Sequence, residues 1–157
     1  MPIISSMLWF DSQAEEAANF YVSIFPNSRI LAVVRRPPNV PAPGGEVMVV
    51  DFELDGVRVS ALNGGPMFQF SEAFSYTVHC KDQAEIDYYW DALLAGGGQE
   101  SACGWLKDRY GFSWQITPAP LLAILAEDDP VRVEKAMAAV MTMRKLDLAV
   151  IMAAVEG

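Results

Sequence analysis

DSQAEEAANFY at residues 11–21 and DQAEIDYYW at residues 82–90 open alike, and self-similarity of this kind inside one chain marks a duplicated unit. Two halves are therefore expected. In the first copy Ser12 precedes Glu15 by three positions, and in the second Asp82 precedes Glu85 by three. Both are capping-box spacings, which satisfy the unpaired amides of a helix's first turn. Apolar residues then follow a helical period: Ala14, Ala17, Ala18, Tyr21 and Phe25 in one copy, Ile86, Tyr89, Trp90 and Leu93 in the other. Pro26-Asn27 stops the first helix and Gly96-Gly97-Gly98 the second.

Outward from these helices the period switches to two. MLWF (Met7 to Phe10) and SRILAVV (Ser28 to Val34) read as strands, and VMVVDFEL-DG-VRVSAL is a hairpin closed by the two-residue turn Asp55-Gly56. The second half repeats the plan. AFSYTVHC precedes its helix, a short strand falls near Cys103 to Lys107, DRYG is a tight turn and FSWQIT is the last strand. Each half reads β-α-β-β-β. RPPNVPAPGG (Arg36 to Gly45) is a loop that cannot hold a ladder, and Asn63-Gly64-Gly65-Pro66 begins the linker between halves. After Pro118 and Pro120, three helices are expected: LLAILA, a segment from Val133 to Met143 led in by Asp129-Pro130, and LDLAVIMAAV. The expected organisation is one α+β domain over 1–157, with module one at about 1–63, module two at about 72–118 and a helical tail at about 119–157. Met137, Met141, Met143 and Met152 suit either packing on the sheet or a subunit interface.

Composition narrows the partners. The chain is 52% apolar, ample for a core, and 20 acidic against 11 basic residues give a net charge of -9. That balance argues against nucleic acid and anionic lipid. No apolar stretch reaches the roughly 18 residues needed to span a bilayer, and MPIISSMLWF lacks a basic start and a cleavage site, so a cytoplasmic protein without membrane partners is expected. Cys80 and Cys103 fit no CxxC pattern and imply a reducing compartment.

Strand alternation separates two faces in each half. Leu54 facing Val57 pairs Phe52 with Val59 and Val50 with Ala61 on an apolar side. The other side carries Glu53 against Arg58, Asp51 against Ser60 and Val49 against Leu62. On AFSYTVHC, Phe74, Tyr76, Val78 and Cys80 take the helix side, leaving Ser75, Thr77 and His79 opposite; Trp114 and Ile116 alternate with Ser113, Gln115 and Thr117. If Lys107 pairs with Phe112 across the DRYG turn, Trp105 lies opposite Trp114 in the core and Gly104 beside Gln115; a slip of one residue puts Trp105 in the pocket. Phe68 and Phe70, in the linker, are placed to reach a cavity or a second subunit.

The segments MLWFDSQAEEAANFYVSIFPNSRI, FELDGVRVSALNGGP, DQAEIDYYWDALLAGG, CGWLKDRYGFSWQITP and MTMRKLDLAVI resemble the PhnB-like branch of the vicinal oxygen chelate, or glyoxalase/bleomycin-resistance, superfamily. This branch is often labelled 3-demethylubiquinone-9 3-methyltransferase. The resemblance implies paired βαβββ modules forming a cup-shaped mixed sheet, usually in a homodimer. It also implies metal-ligand positions that here match Ser6 (or Ser5), Leu62, Ser75 and Gln115, the last within Asp108-Arg109-Tyr110-Gly111-Phe112-Ser113-Trp114-Gln115. Hydroxyls, an amide and a leucine cannot repay the dehydration of a divalent cation, so neither a metal nor another cofactor is expected.

His79 and Cys80 are strand neighbours that point to opposite faces, which excludes a shared ion. As a base, His79 or Asp51 has no nucleophile signature tied to it, and Cys103 has only Lys107 nearby in sequence to activate it. Methyl transfer from a nucleotide-sulfonium cofactor needs a Gly-rich turn between strand and helix, and none of Gly44-Gly45, Gly64-Gly65 or Gly96-Gly97-Gly98 sits at one. The expected function is binding of a small organic ligand by a metal-free homodimer, with Ser60, Leu62, Ser75, Thr77, His79, Trp105, Ser113 and Gln115 at the pocket. The competing expectations are an enzyme of the superfamily, metal-free or with an atypical metal, and an interaction module docking through the Met-rich tail.

Overall fold

The computed structural model describes residues 1–157 and resolves into two compact units, Met1–Phe70 and Ser71–Gly157. The first contains β1 (Ser6–Phe10), α1 (Ala14–Ile24), β2 (Arg29–Arg35), β3 (Val47–Leu54) and β4 (Val57–Asn63), its strands ordered β1-β4-β3-β2. The β3–β4 hairpin has the register expected of a two-residue turn, with Leu54 opposite Val57, Asp51 opposite Ser60 and Val49 opposite Leu62. Asp55 and Gly56 both lie at positive φ, 47° and 76°, the type I′ geometry whose twist matches that of the strands it joins. Val50, Phe52, Val59 and Ala61 are buried, as are Ala17, Ala18 and Tyr21 on the helix, and the alternation of the strands with the helical period produces this core.

The start of α1 differs from expectation. Ser12 does not cap it, and Gln13, the residue before the helix, makes no side-chain cap bond. The Ala14 N–H donates instead to Asn63 Oδ1 at 2.8 Å. Because β1 runs parallel to β4 with Phe10 opposite Asn63, the end of β4 lies beside the turn that leaves β1, and a buried amide there displaces the local serine.

The second unit contains β5 (Ser75–Cys80), α2 (Gln83–Leu94), β6 (Gln99–Glu100), β7 (Trp105–Lys107) and β8 (Ser113–Pro118), ordered β5-β8-β7-β6. Here the local cap forms: Asp82 accepts from the Glu85 N–H at 3.0 Å, and the Glu85 carboxylate accepts from the Lys81 N–H at 2.9 Å. At two residues β6 is too short to show a period, and the sequence reading missed it.

The β7–β8 register also needs correction. Lys107 pairs with Ser113, Leu106 with Trp114 and Trp105 with Gln115, one residue away from the pairing of Lys107 with Phe112. Asp108 closes the loop against Phe112, its N–H donating to the Phe112 carbonyl at 2.9 Å, so the loop holds three residues instead of four. Its last residue, Gly111, has φ 81°, as a three-residue hairpin loop ending in a left-handed residue requires. The slip moves Leu106 into the core and Trp105 out to the polar face, where it is half-buried.

The tail forms α3 (Ala119–Leu125), α4 (Pro130–Val140) and α5 (Leu148–Glu156). Asp129 and Asp147 cap α4 and α5 through the N–H groups of Arg132 and Val150, both at 3.1 Å. Leu121, Ile124, Val140, Leu146, Ile151 and Val155 make its core. Met143 and Met152 pack against that core, while Met137 and Met141 are exposed. Gln83 ties the tail to α2, donating to the Leu146 carbonyl at 3.1 Å and accepting from the Leu148 N–H at 2.8 Å. No helix is long and apolar enough to cross a membrane.

Candidate functional site

In a sheet, directly paired residues share a face. The pairings in the second unit place Ser75 beside Ser113, Thr77 beside Gln115 and His79 beside Thr117, with Trp105 next to Gln115 and Lys107 next to Ser113. The residues expected at the pocket from this module therefore lie on one polar face. Its reverse carries Leu106, Trp114, Ile116 and Cys80, all buried.

At one end of the polar face is a cleft of about 180 Å³, with Glu72, Gln99, Glu100, Trp105, Lys107 and Ser113 among its lining residues. Trp105 and Ser113 were expected there. Glu72, Gln99, Glu100 and Lys107 were not, and the signal that would have found Lys107 is strand alternation, which puts it on the same face as Trp105. Ser113 is 1% exposed, and its Oγ has no hydrogen-bond partner. Gln115 Nε2 donates to Ser75 Oγ at 2.9 Å, one bond that joins the two side chains beside the cleft. Thr77 and His79 are exposed further along the face.

The Lys107 ammonium donates to the exposed carboxylate of Glu72, and this bond holds the Glu72 carboxyl below the usual carboxylate range. Glu100 is engaged elsewhere: it accepts from the Trp90 indole at 3.2 Å and lies 3.7 Å from the Arg144 guanidinium. Lys107 is thus the cation of the cleft, and Glu72 is the carboxylate joined to it.

The first unit presents its own mixed face. The Ser60 hydroxyl donates to the Asp51 carboxylate, and Glu53 pairs with Arg29 at 3.0 Å. Leu62 shares this face with Trp9, whereas Ser6 is aligned with Val59 on the buried side, together with Leu8 and Phe10. Phe68 and Phe70 stack edge-on against Trp9 and Phe10, with ring centroids 5.0 and 5.2 Å apart. Both ring contacts lie within the first unit, and Phe68 keeps 58% of its surface exposed.

Nucleophile and metal chemistry find little to work with. Burial, reinforced by Glu85 and Asp82, pushes the Cys80 thiol up to about 12, so it stays protonated near neutral pH. Cys103 is half-buried, and its N–H donates to the Met143 carbonyl at 2.8 Å. No three His, Cys, Asp or Glu side chains come together in a way that would hold a metal ion. The superfamily's ligand positions do not fit a divalent cation either: Ser6 and Leu62 occupy opposite faces of their sheet, the alternative Ser5 lies just before β1 and brings only a neutral hydroxyl, and Ser75 and Gln115 are neutral and bonded to each other. Gly44-Gly45 precedes β3, Gly64-Gly65 follows β4 and Gly96-Gly97-Gly98 follows α2, so no glycine turn joins a strand to a helix as a nucleotide-sulfonium cofactor requires.

Residues 2–117 match the profile of the family described as 3-demethylubiquinone-9 3-methyltransferase. The match ends just before α3. A solved structure described as a putative 3-demethylubiquinone-9 3-methyltransferase, PhnB protein, from Bacillus cereus is 35% identical, covers 75% of this chain and 100% of its own, and has a TM-score of 0.68. Protein PA1353 from Pseudomonas aeruginosa is 18% identical over 75% of this chain and 98% of its own, with a TM-score of 0.63. The fosfomycin resistance protein FosX from Mesorhizobium loti is 12% identical over 80% of this chain and 98% of its own, with a TM-score of 0.58. At those identities the last two show a shared fold alone. No curated protein matches the chain. The family match and the Bacillus cereus likeness over that protein's whole length agree with the two βαβββ modules: the chain belongs to the 3-demethylubiquinone-9 3-methyltransferase, or PhnB-like, branch of the vicinal oxygen chelate superfamily.

Proposed function

We propose that this protein binds a small, partly apolar organic molecule on the polar face of its second module, without a divalent metal, and that it acts as a homodimer. The observation that carries the reading is the cleft beside Trp105, where the buried Ser113 hydroxyl has no partner inside the protein. Native proteins rarely leave such a group unpaired, because doing so costs about 1–3 kcal/mol, and a bound molecule relieves that cost. Trp105 offers an apolar wall, while Gln115 and Ser75 offer donors and acceptors beside it. The cleft is smaller than the ~300 Å³ at which pockets for drug-sized ligands begin, which favours a ligand of fragment size. The FosX likeness supports the reading only in that a protein named for resistance to a small molecule uses this fold. Methyl transfer is not part of the proposal, despite the family's description, for want of a cofactor turn.

A thermal-shift screen of small aromatics, thiol adducts and antibiotics tests the binding. A ligand at a hundred times its Kd adds about 2.7 kcal/mol, and at about 2–4 °C per kcal/mol for a chain of this size the melting temperature should rise by about 5–10 °C. The proposal fails if no compound raises it while a protein partner does. A full equivalent of Zn, Mn, Ni or Fe in untagged protein, lost in Gln115→Ala, would overturn the metal-free assignment. For the homodimer, light scattering is expected to give twice the chain mass at micromolar concentration, and a monomer there removes it.

A further inference from the structure

We propose that the cleft of the second module selects a carboxylate on a flat apolar body, which displaces Glu72 from Lys107 and accepts the Ser113 hydroxyl hydrogen. This rests on the reading of the cleft as a ligand site and names the ligand's charge. Ser113 and Lys107 are paired residues on one face, so a group bound by one is within reach of the other. A hydroxyl both donates and accepts, and Ser113 alone would suit any polar ligand. Its neighbour decides between them.

Lys107 presently spends its charge on Glu72, whose side chain is 63% exposed and stands on the segment leading into β5. An exposed ion pair contributes little, and a carboxylate so placed returns to water at small cost. An incoming carboxylate would receive charge-assisted bonds from both Lys107 and Ser113, which are stronger than neutral ones. A neutral ligand would leave the Lys107–Glu72 pair standing and gain only the hydroxyl. A cation would meet the Lys107 ammonium, and Glu100, the other carboxylate of the cleft, already faces Arg144 and the Trp90 indole. Glu72 thus acts as an internal stand-in for the ligand's charge.

Benzoate, benzamide and benzylamine share a flat ring and differ in headgroup, and titration of each into isotope-labelled protein, read at the amides of Trp105, Lys107 and Ser113, separates the cases. Benzoate is expected to bind at least about tenfold more tightly than either analogue, the discrimination of a charge-assisted bond. Glu72→Gln removes the competing carboxylate and should tighten benzoate severalfold, while Lys107→Met abolishes the preference. Ser113→Ala gives a signature that a structural hydroxyl would not: it weakens benzoate yet leaves the melting temperature of the free protein level or raised, since it deletes an unpaired buried group. Equal or tighter binding of benzamide or benzylamine, or weaker benzoate binding by Glu72→Gln, overturns the anion assignment and leaves small-molecule binding standing. A destabilised Ser113→Ala overturns the role of the hydroxyl. If none of the three shifts these amides in wild type or Glu72→Gln, the inference falls, and the broader reading falls with it only if the thermal-shift screen is also blank.

Discussion

Asp108→Ala is expected to lower stability by roughly 3–5 kcal/mol, seen as a fall of about 6–20 °C in melting temperature. Asp108 is 2% exposed, and its carboxylate accepts three N–H groups: Tyr110 at 2.9 Å and Phe112 at 3.1 Å on Oδ1, and the Trp114 indole at 2.9 Å on Oδ2. Truncation strands buried donors as well as removing bonds, and that asymmetry makes the loss large. Asp108→Asn keeps the shape and one carbonyl oxygen for the two backbone donors, but turns an NH₂ group toward the indole N–H. It should cost about 2 kcal/mol, and less in a Trp114→Phe background where the opposing donor is gone. Additive losses in that double-mutant cycle, measured by denaturant unfolding, would refute the indole contact.

The same substitution reaches the candidate site. The carboxylate organises the three-residue loop that pairs Lys107 with Ser113, and a one-residue slip would return Trp105 to the side of Trp114. Asp108→Ala should therefore degrade the cleft more than its distance from the ligand suggests. An Asp108→Ala protein that folded with Trp105, Lys107 and Ser113 amide shifts unchanged would show that the register does not depend on the carboxylate.

That loop also marks the boundary of what could be read from residues alone. Asp55-Gly56 is a two-residue turn with a single favoured geometry, and the β3–β4 register followed from it. DRYG has two solutions one residue apart, and the choice is made by a tertiary bond from Asp108 to the indole of a residue on the next strand. The polar face was legible because alternation is local: Ser75, Thr77, His79, Ser113 and Gln115 fall on one side whatever the partner strand. The cleft was not, since Glu72 and Gln99 enter it from a coil segment and a two-residue strand that carry no periodic signal. In the first unit, the open face was readable but not the pairing of its charges: Glu53, opposite Arg58 in register, takes its ion pair from Arg29 on the neighbouring strand.

Asn63→Ala should cost about 2–3 kcal/mol, while Ser12→Ala should cost less than about 0.5 kcal/mol, the reverse of what the capping-box spacing implies. Asn63 is 2% exposed and holds three partners at once: Oδ1 accepts the Ala14 N–H at 2.8 Å, Nδ2 donates to the Val47 carbonyl at 3.1 Å, and its backbone carbonyl accepts from Arg36 Nη2 at 2.7 Å. The first two bonds are lost with the side chain and the third is not, so the helix start and the head of β3 should loosen while the Arg36 contact persists. Asn63→Asp separates the roles. It keeps an acceptor at a helix N-terminus, where negative charge is favoured, but sets a carboxylate oxygen against the Val47 carbonyl. Its penalty should therefore grow from below the carboxylate's pKa to above it, because protonation restores a donor toward Val47. In the other copy, where the local cap does form, Asp82→Ala should cost about 1 kcal/mol through the Glu85 amide. Equal losses for Ser12→Ala and Asp82→Ala by chemical denaturation would mean that the two helices start alike, and the buried amide of β4 would not be the cap of α1.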